Sequence, residues 1–263
     1  MTELTIEEQK EICKNILKKF DEICKENNLK YSMAYGTLLG AIRHGGFIPW
    51  DDDIDVIMPR ADYEKLLSFQ YDDPNYKILN YRYSKHYYYT FSKMIDKRTF
   101  ISEPQRGEKD MGIFIDIFPV DYVGDIKKEA KDNFEKALRN DSIWLRLGSN
   151  INTNKGFTPK YIAKLAFRAA TLPVRKTLLY HYDTAFTKIP KSEYCANFQL
   201  SYGINECFGT ELWNDIKYIP FEDIEAAAFA DYDAYLSAVF GDYMTPPEEK
   251  DRVTTHPFKA YKK

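Results

Sequence analysis

The chain's 263 residues suffice for one large domain, or for a domain with a substantial appendage, and 44% hydrophobic with 29% charged residues is an ordinary globular composition. A net charge of −3 supplies no global basic field, so nucleic acid is not expected as a partner. No run of about 18 apolar residues is present to form a transmembrane helix.

The opening "MTELTIEEQK" has neither the basic start nor the apolar core of a secretory signal. Cys13, Cys24, Cys195 and Cys207 form no CxxC pair, which predicts a reduced, cytoplasmic setting with buried thiols and no structural zinc. Thr5 with Glu8 has the capping-box form, and Ile12, Ile16, Leu17, Phe20, Ile23 and Cys24 follow at helical spacing. They predict a helix ending near Asn27 and Asn28. "YSMAY", Tyr31 to Tyr35, alternates as a strand does. Thr37 is the expected N-cap of a short helix, "LLGAIRH", which Gly45 and Gly46 terminate.

Next comes "FIPWDDDIDVIM", Phe47 to Met58, with Asp51, Asp52, Asp53 and Asp55 crowded at the edge of an apolar run. Ile54, Val56 and Ile57 are β-branched, and Pro49 and Pro59 bracket them, so a short strand is expected. Alternation places Asp53 and Asp55 on one face, joined by Asp51 if the extension begins that early, while Ile54 and Val56 enter the core. Carboxylates paired in this way suit a hard divalent cation, which cancels their repulsion. The competing reading is an acidic turn that solvates a strand end.

A helix is expected from about Ala61 to Phe69, then two or three antiparallel strands over residues 76–100. Within them "HYYYTF", His86 to Phe91, reads as a half-buried strand. Met111 to Val123 forms a further strand, which Pro119 is expected to end. Its lone Asp116 is costly unless paired or metal-bound. From Lys127 to about Tyr182 the pattern is helical, with Thr158 and Pro159 as a helix start and Pro173 as a break. Between Ser142 and Tyr182 no Asp or Glu occurs, whereas Arg146, Lys155, Lys160, Lys164, Arg168, Arg175 and Lys176 do. That stretch is either a face for anionic lipid or a polyanionic acceptor, or a core-packing helix with a solvated basic side.

Taken in order, a strand leads to Gly36 and Thr37, a short helix, the DxD strand and a later strand with one Asp. The glycine permits close approach of backbone to a phosphate, and a helix start offers free N–H groups to an anion. The paired acids hold metal against the same phosphates, and the third Asp completes the metal shell or takes a proton. Such an order serves transfer of a phosphorus-centred group from a nucleotide.

"GTLLGAIRHGGFIPWDDDIDVIMPRADYEKL", Gly36 to Leu66, resembles the signature of the LicD family, and "KMIDKRTF", "GIFIDIFPVD" and the tail "YDAYLSAVFGDYMTPPEEKDRVTTH" resemble it too. No such resemblance is found over about 125–215. The resemblance implies an α+β fold: a nucleotidyltransferase-like mixed sheet with flanking helices and a helical region inserted after the catalytic strands. The expected division is a catalytic core over 1–124, a mostly helical acceptor- or membrane-facing region over 125–215, and a segment over 216–263 that returns to the active site.

It further implies transfer of a phospho-alcohol, typically phosphocholine from CDP-choline, with CDP-ribitol associated with fukutin-type relatives. The acceptor is a hydroxyl of a cell-surface glycan such as lipopolysaccharide or teichoic acid, or its lipid-linked precursor, and CMP leaves. Mg²⁺, or Mn²⁺, on Asp53, Asp55 and Asp116 is implied, with Asp116 or Asp51 as base. Gly36 and Thr37 match the family's phosphate-contacting turn. Arg43 and His44 either reach phosphate or complement a helix C-terminus. Trp50 either stacks on cytosine or anchors the strand; Lys93 binds phosphate or is an inert strand lysine; Arg252 and His256 lie in the family-like tail and would close over the nucleotide. The Tyr cluster at 86–91 also offers faces to a quaternary ammonium, though the strand reading is preferred. The expected location is cytoplasmic, peripheral at the inner membrane face through 146–176. Competing classes are a nucleotidyltransferase moving NMP to a small molecule, a DxD glycosyltransferase, and a non-catalytic Ca²⁺-dependent glycan binder.

Overall fold

The computed structural model describes residues 2–85, 87, 89–102, 111–126, 128, 129, 132, 159–184, 187–197, 203–252 and 259–263. Helix α1 (Ile6–Asn27) begins with the expected capping box: Glu8 N–H donates to Thr5 Oγ1, and Thr5 N–H donates to the Glu8 carboxylate. Asn28 closes it in the left-handed conformation, which a short amide side chain tolerates. Ile16, Leu17, Phe20, Ile23, Cys13 and Cys24 form its buried face.

The central seven-stranded sheet runs β2 (Ser32–Met33), β3 (Asp55–Pro59), β7 (Phe114–Gly124), β5 (Ser92–Asp96), β4 (Tyr76–Leu79), with β8 (Tyr194–Ala196) on the far half of β7 and β9 (Cys207–Gly209) beyond it. β3 and β7 are parallel, and the other pairs are antiparallel. A three-stranded sheet joins β1 (Thr2–Glu3), β12 (Lys259–Lys262) and β6 (Thr99–Ser102). β10 (Ile216–Phe221) and β11 (Ile224–Phe229) form a hairpin. Helices α2 (Tyr35–His44), α3 (Arg60–Ser68), α4 (Pro159–Thr171), α5 (Arg175–Asp183) and α6 (Tyr232–Phe240) complete the α+β fold. Among the described residues no helix is long and apolar enough to cross a membrane.

Several local expectations are corrected. The strand at 31–35 shrinks to Ser32–Met33, because helix α2 already starts at Tyr35. Thr37 therefore lies inside the first turn and does not cap it; Ala34 is the N-cap, without a side-chain bond. β3 starts at Asp55, so Asp51, Asp52 and Asp53 belong to an irregular turn to which strand alternation does not apply.

Pro119 does not end its strand, since β7 runs on to Gly124. Asp116 N–H donates to Ile54 O on the β3 side, so alternation turns position 119 toward β5. There the β5 ladder has already ended at Ser92 and Ile117, and no N–H is required. The described residues of 86–91 form no strand either. Tyr87, Tyr89 and Phe91 stack in series, with centroids 5.2 and 4.9 Å apart, and Phe91 reaches Phe118 at 4.6 Å. Aromatic packing onto β7 thus takes the place of ladder pairing. The break expected at Pro173 appears as a 3-10 turn, Leu172–Val174, between α4 and α5.

Opposite charges are concentrated beside α3. Arg60 donates two bonds to the Asp121 carboxylate (2.8 and 2.6 Å) and one to Asp183 Oδ1 (2.9 Å). Arg82 bonds Glu64 and Asp183 Oδ2, and Tyr81 hydroxyl donates to the same Asp183 oxygen at 2.8 Å. Burial alone would lower the Arg60 pKa, but the Asp121 and Asp183 charges hold it above its usual value. The network fastens the end of α5 to α3, β7 and the segment after β4.

Candidate active site

Three strand neighbours set a row of charge. Asp55 on β3 lies opposite Asp116 on β7, and Asp116 lies opposite Lys93 on β5. Residues directly opposite share a sheet face. Lys93 Nζ donates to Asp116 Oδ1 at 2.5 Å, and its ammonium also lies over the rings of Phe114, Tyr89 and Phe91 at 3.4, 5.2 and 5.2 Å from their centroids. The side chain of Lys93 is 3% exposed and that of Asp116 13%, so both charges are removed from water and each depends on the other.

Asp51, Asp52 and Asp53 precede this row, each with a carboxylate oxygen within 4.8 Å of the others'. Three hard oxygen donors at that spacing fit a divalent cation such as Mg²⁺; Asp55 and Asp116, expected with Asp53 to hold it, stand on the adjoining strands outside that trio. Burial first, then the charges of Asp53, Asp116 and Asp51, push the Asp55 carboxyl well above the usual range, against the opposing pull of Lys93. Behind the turn sits Cys13 of α1, its sulfur 3.5 Å from Phe114 O and 3.9 Å from Asp52 O. Burial, and then Asp53, Asp52 and Asp116, drive its thiol pKa upward, so a neutral group backs the acids.

The turn at Gly36 and Thr37 meets the acids at two points. Thr37 Oγ1 accepts the Asp55 N–H at 2.8 Å, fixing the first residue of β3. A Cβ added at Gly36 would stand 2.5 Å from Asp51 Oδ2, so the glycine is what lets that carboxylate lie on the turn. Tyr35 before it has φ +46°, a left-handed conformation disfavoured for an aromatic residue. Its hydroxyl donates to Glu206 Oε2 at 2.7 Å and accepts from Asn197 Nδ2 at 2.8 Å, and its ring meets Phe118 edge-on at 6.0 Å. These buried contacts hold the strained residue, and with it the start of α2.

Trp50 adjoins the acidic turn from the other side. The Arg252 guanidinium lies 5.2 Å above its ring, and the His44 ring meets it edge-on at 6.1 Å. Arg43 Nη1 donates to Tyr243 O at 2.7 Å. Burial and then the charge of Arg252 lower the Arg43 pKa; burial and then Arg43 lower that of His44. Arg252, 209 positions after Arg43, thus lies over the indole, near enough for its charge to act on Arg43. The hairpin turn helps: Glu222 Oε1 accepts from Phe47 N–H, and its N–H donates to Gly45 O.

Of the residues singled out from sequence, Asp51, Asp53, Asp55, Asp116, Lys93, Gly36 and Thr37 thus adjoin one another, and Arg43, His44, Trp50 and Arg252 form a cluster at the edge of the acidic turn. His256 lies outside the described residues, as do Arg146, Lys155 and the side chains of Lys160, Lys164 and Arg168. Asp52 was not singled out, because a strand would have turned it to the opposite face; Tyr35 and Glu206 carried no motif signal.

A family described as "LicD/FKTN/FKRP, nucleotidyltransferase domain" matches residues 28–146. The lipopolysaccharide cholinephosphotransferase LicD of Haemophilus influenzae is 32% identical over an alignment 282 positions long, gaps included, which spans 99% of this chain and 99% of that one. An uncharacterized protein of Rickettsia typhi is 37% identical over 110 residues, 41% of this chain and 33% of its own. One from Rickettsia prowazekii is 35% identical over 94 residues, 35% and 34% of the two chains.

Proposed function

The chain belongs to the LicD family of phosphotransferases, and from that footing we propose that it moves phosphocholine from CDP-choline to a hydroxyl of a cell-surface glycan or of its lipid-linked precursor. The name of the Haemophilus relative supports the alcohol and the class of acceptor. One observation carries the donor. The Arg252 guanidinium lies over Trp50 at the edge of the acidic turn, near enough for its charge to act on Arg43, and cations there suit a diphosphate whose base stacks on the indole.

In this reading Asp51, Asp52 and Asp53, with Asp55 and Asp116, would hold Mg²⁺ or Mn²⁺. Bound there, the cation would supply charge neutralisation at the diphosphate and at the departing CMP. Trp50 stacks on cytosine, Arg43 and Arg252 grip the diphosphate, and Gly36 admits it close to backbone. The acceptor hydroxyl oxygen attacks the β-phosphorus in line, the bond from that phosphorus to the CMP oxygen breaks, and the hydroxyl proton passes to Asp116 or Asp51. Lys93 balances the charge of Asp116 and fixes its orientation.

Thermal shifts with Mg²⁺ and CDP-choline, CDP-ribitol, CDP-glycerol, CTP or UDP-glucose test the proposal. CDP-choline at a hundredfold excess over its Kd should stabilise by about 2.7 kcal/mol. The shift should require metal and vanish in Asp53→Asn with Asp55→Asn. A shift with CTP alone or UDP-glucose alone would replace the reading by nucleotidyl or glycosyl transfer.

A further inference from the structure

Several described side chains of α4 expose apolar surface to water. Among its described side chains Pro159, Ile162, Ala166, Phe167, Ala169 and Ala170 are exposed; the side chains of Lys160, Lys164 and Arg168 lie outside the described ones. Ile162 is 54% and Phe167 44% exposed, and the apolar exposure continues past the 3-10 turn with Val174 at 47% and Tyr180 at 50%. A helix on a water-facing surface ordinarily turns polar residues outward. A core-packing role, one of the two readings open from sequence, does not account for these exposed side chains.

Charge decides what would cover them. The stretch 142–182 contains seven Arg and Lys, of which Arg175 is buried, and no acid, whereas the whole chain is −3, so everything outside the stretch sums to −10. A second copy docking by the same stretch would set one net-positive segment against another. A glycan offers anions but nothing apolar for Ile162, Phe167 and Val174. An anionic bilayer offers both: negative charge for a net-positive stretch of sequence and the acyl boundary for the exposed apolar side chains. The Asp183 network pins the end of α5 to the core, so a docked α4 would fix the orientation of the whole molecule.

We propose that α4 and α5 form a peripheral docking face for an anionic membrane surface. It stands apart from the choice of donor, because its readout is binding without turnover. The experiment is cosedimentation of the full chain with vesicles of phosphatidylcholine alone, and with vesicles containing about one third phosphatidylglycerol, at low and high salt. Binding to the anionic vesicles only, falling steeply with salt, is the expected result. Lys160→Glu with Lys164→Glu and Arg168→Glu should weaken partitioning at least about tenfold. Ile162→Ser with Phe167→Ser, at positions already exposed, should weaken it without loss of fold. No binding to anionic vesicles overturns the proposal, and so does binding that survives both sets of substitutions. A concentration-dependent dimer that the apolar substitutions dissolve overturns it too, in favour of a second copy.

Discussion

Lys93→Met isolates the energetics at the centre of the site. Methionine keeps the length and apolar body of the side chain and its contact with Phe114, Tyr89 and Phe91, but leaves Asp116 without its 2.5 Å partner. Both side chains are almost fully buried, and removing one member of such a pair strands the other charge. The expected loss is about 3–5 kcal/mol. At roughly 2–4 °C per kcal/mol for a chain of this size class, the melting temperature should fall by at least about 6 °C. Asp116→Asn strands the ammonium and should cost a similar amount. The double variant leaves neither charge and should recover most of the loss, giving a coupling of at least about 1.5 kcal/mol in a double-mutant cycle. Urea unfolding in EDTA, which excludes adventitious metal, measures all four species. A single-variant loss below about 1 kcal/mol, or additive losses, would refute the claim that the two charges depend on each other. The same experiment repeated with Mg²⁺ should stabilise Lys93→Met more than the parent, because cation and lysine neutralise the same carboxylates.

Thr37→Val removes the acceptor of the Asp55 N–H and should cost about 1–3 kcal/mol in urea unfolding, while Thr37→Ser should be nearly silent. Tyr35→Phe deletes the hydroxyl that bonds Glu206 and Asn197; a loss of about 1–3 kcal/mol is expected, with slower turnover from a less firmly held Gly36 turn. Asp183→Asn sets an amide N–H against guanidinium or hydroxyl donors and should lower stability by about 3 kcal/mol, read as a fall in melting temperature. For Glu64, burial raises the pKa but the Arg82 bonds and charge outweigh it, so the net shift is downward. Its contribution to stability is thus fully present above pH 4.5, the ordinary value, and is lost as pH falls through the lowered folded value. Glu64→Gln should therefore flatten the acid limb of a stability–pH profile and be most destabilising at neutral pH.

Local spacing carried a good part of this molecule. The capping box at Thr5 and Glu8, the apolar stripe of α1 and the break at Pro173 are all written within a few residues, and the structure has each of them. Strand limits were harder to read, because they depend on partners remote in sequence. Pro119 is tolerated only because β5 has ended beside it, and Asp51 to Asp53 leave the strand because β2 supplies just two residues of pairing to β3. The pairing of Lys93 with Asp116 and the strain at Tyr35 are likewise products of the sheet and of residues 197 and 206. Arg43 and His44 stand out by their place at a helix end, and Arg252 by its family-like tail; that His44 and Arg252 both meet Trp50 is a fact of the fold.

Charge balance links the two halves of the site. Asp51, Asp52, Asp53, Asp55 and Asp116 gather near Lys93, with Arg252 over Trp50 at the edge. A nucleotide diphosphate adds negative charge beside these carboxylates. On the proposed reading, nucleotide affinity must then depend steeply on divalent cation, and by linkage metal affinity must rise by the same factor when nucleotide is present. Titrations run in both orders should return equal factors. If CDP-choline binds as tightly in EDTA as in Mg²⁺, the acids serve some purpose other than holding a metal against the diphosphate.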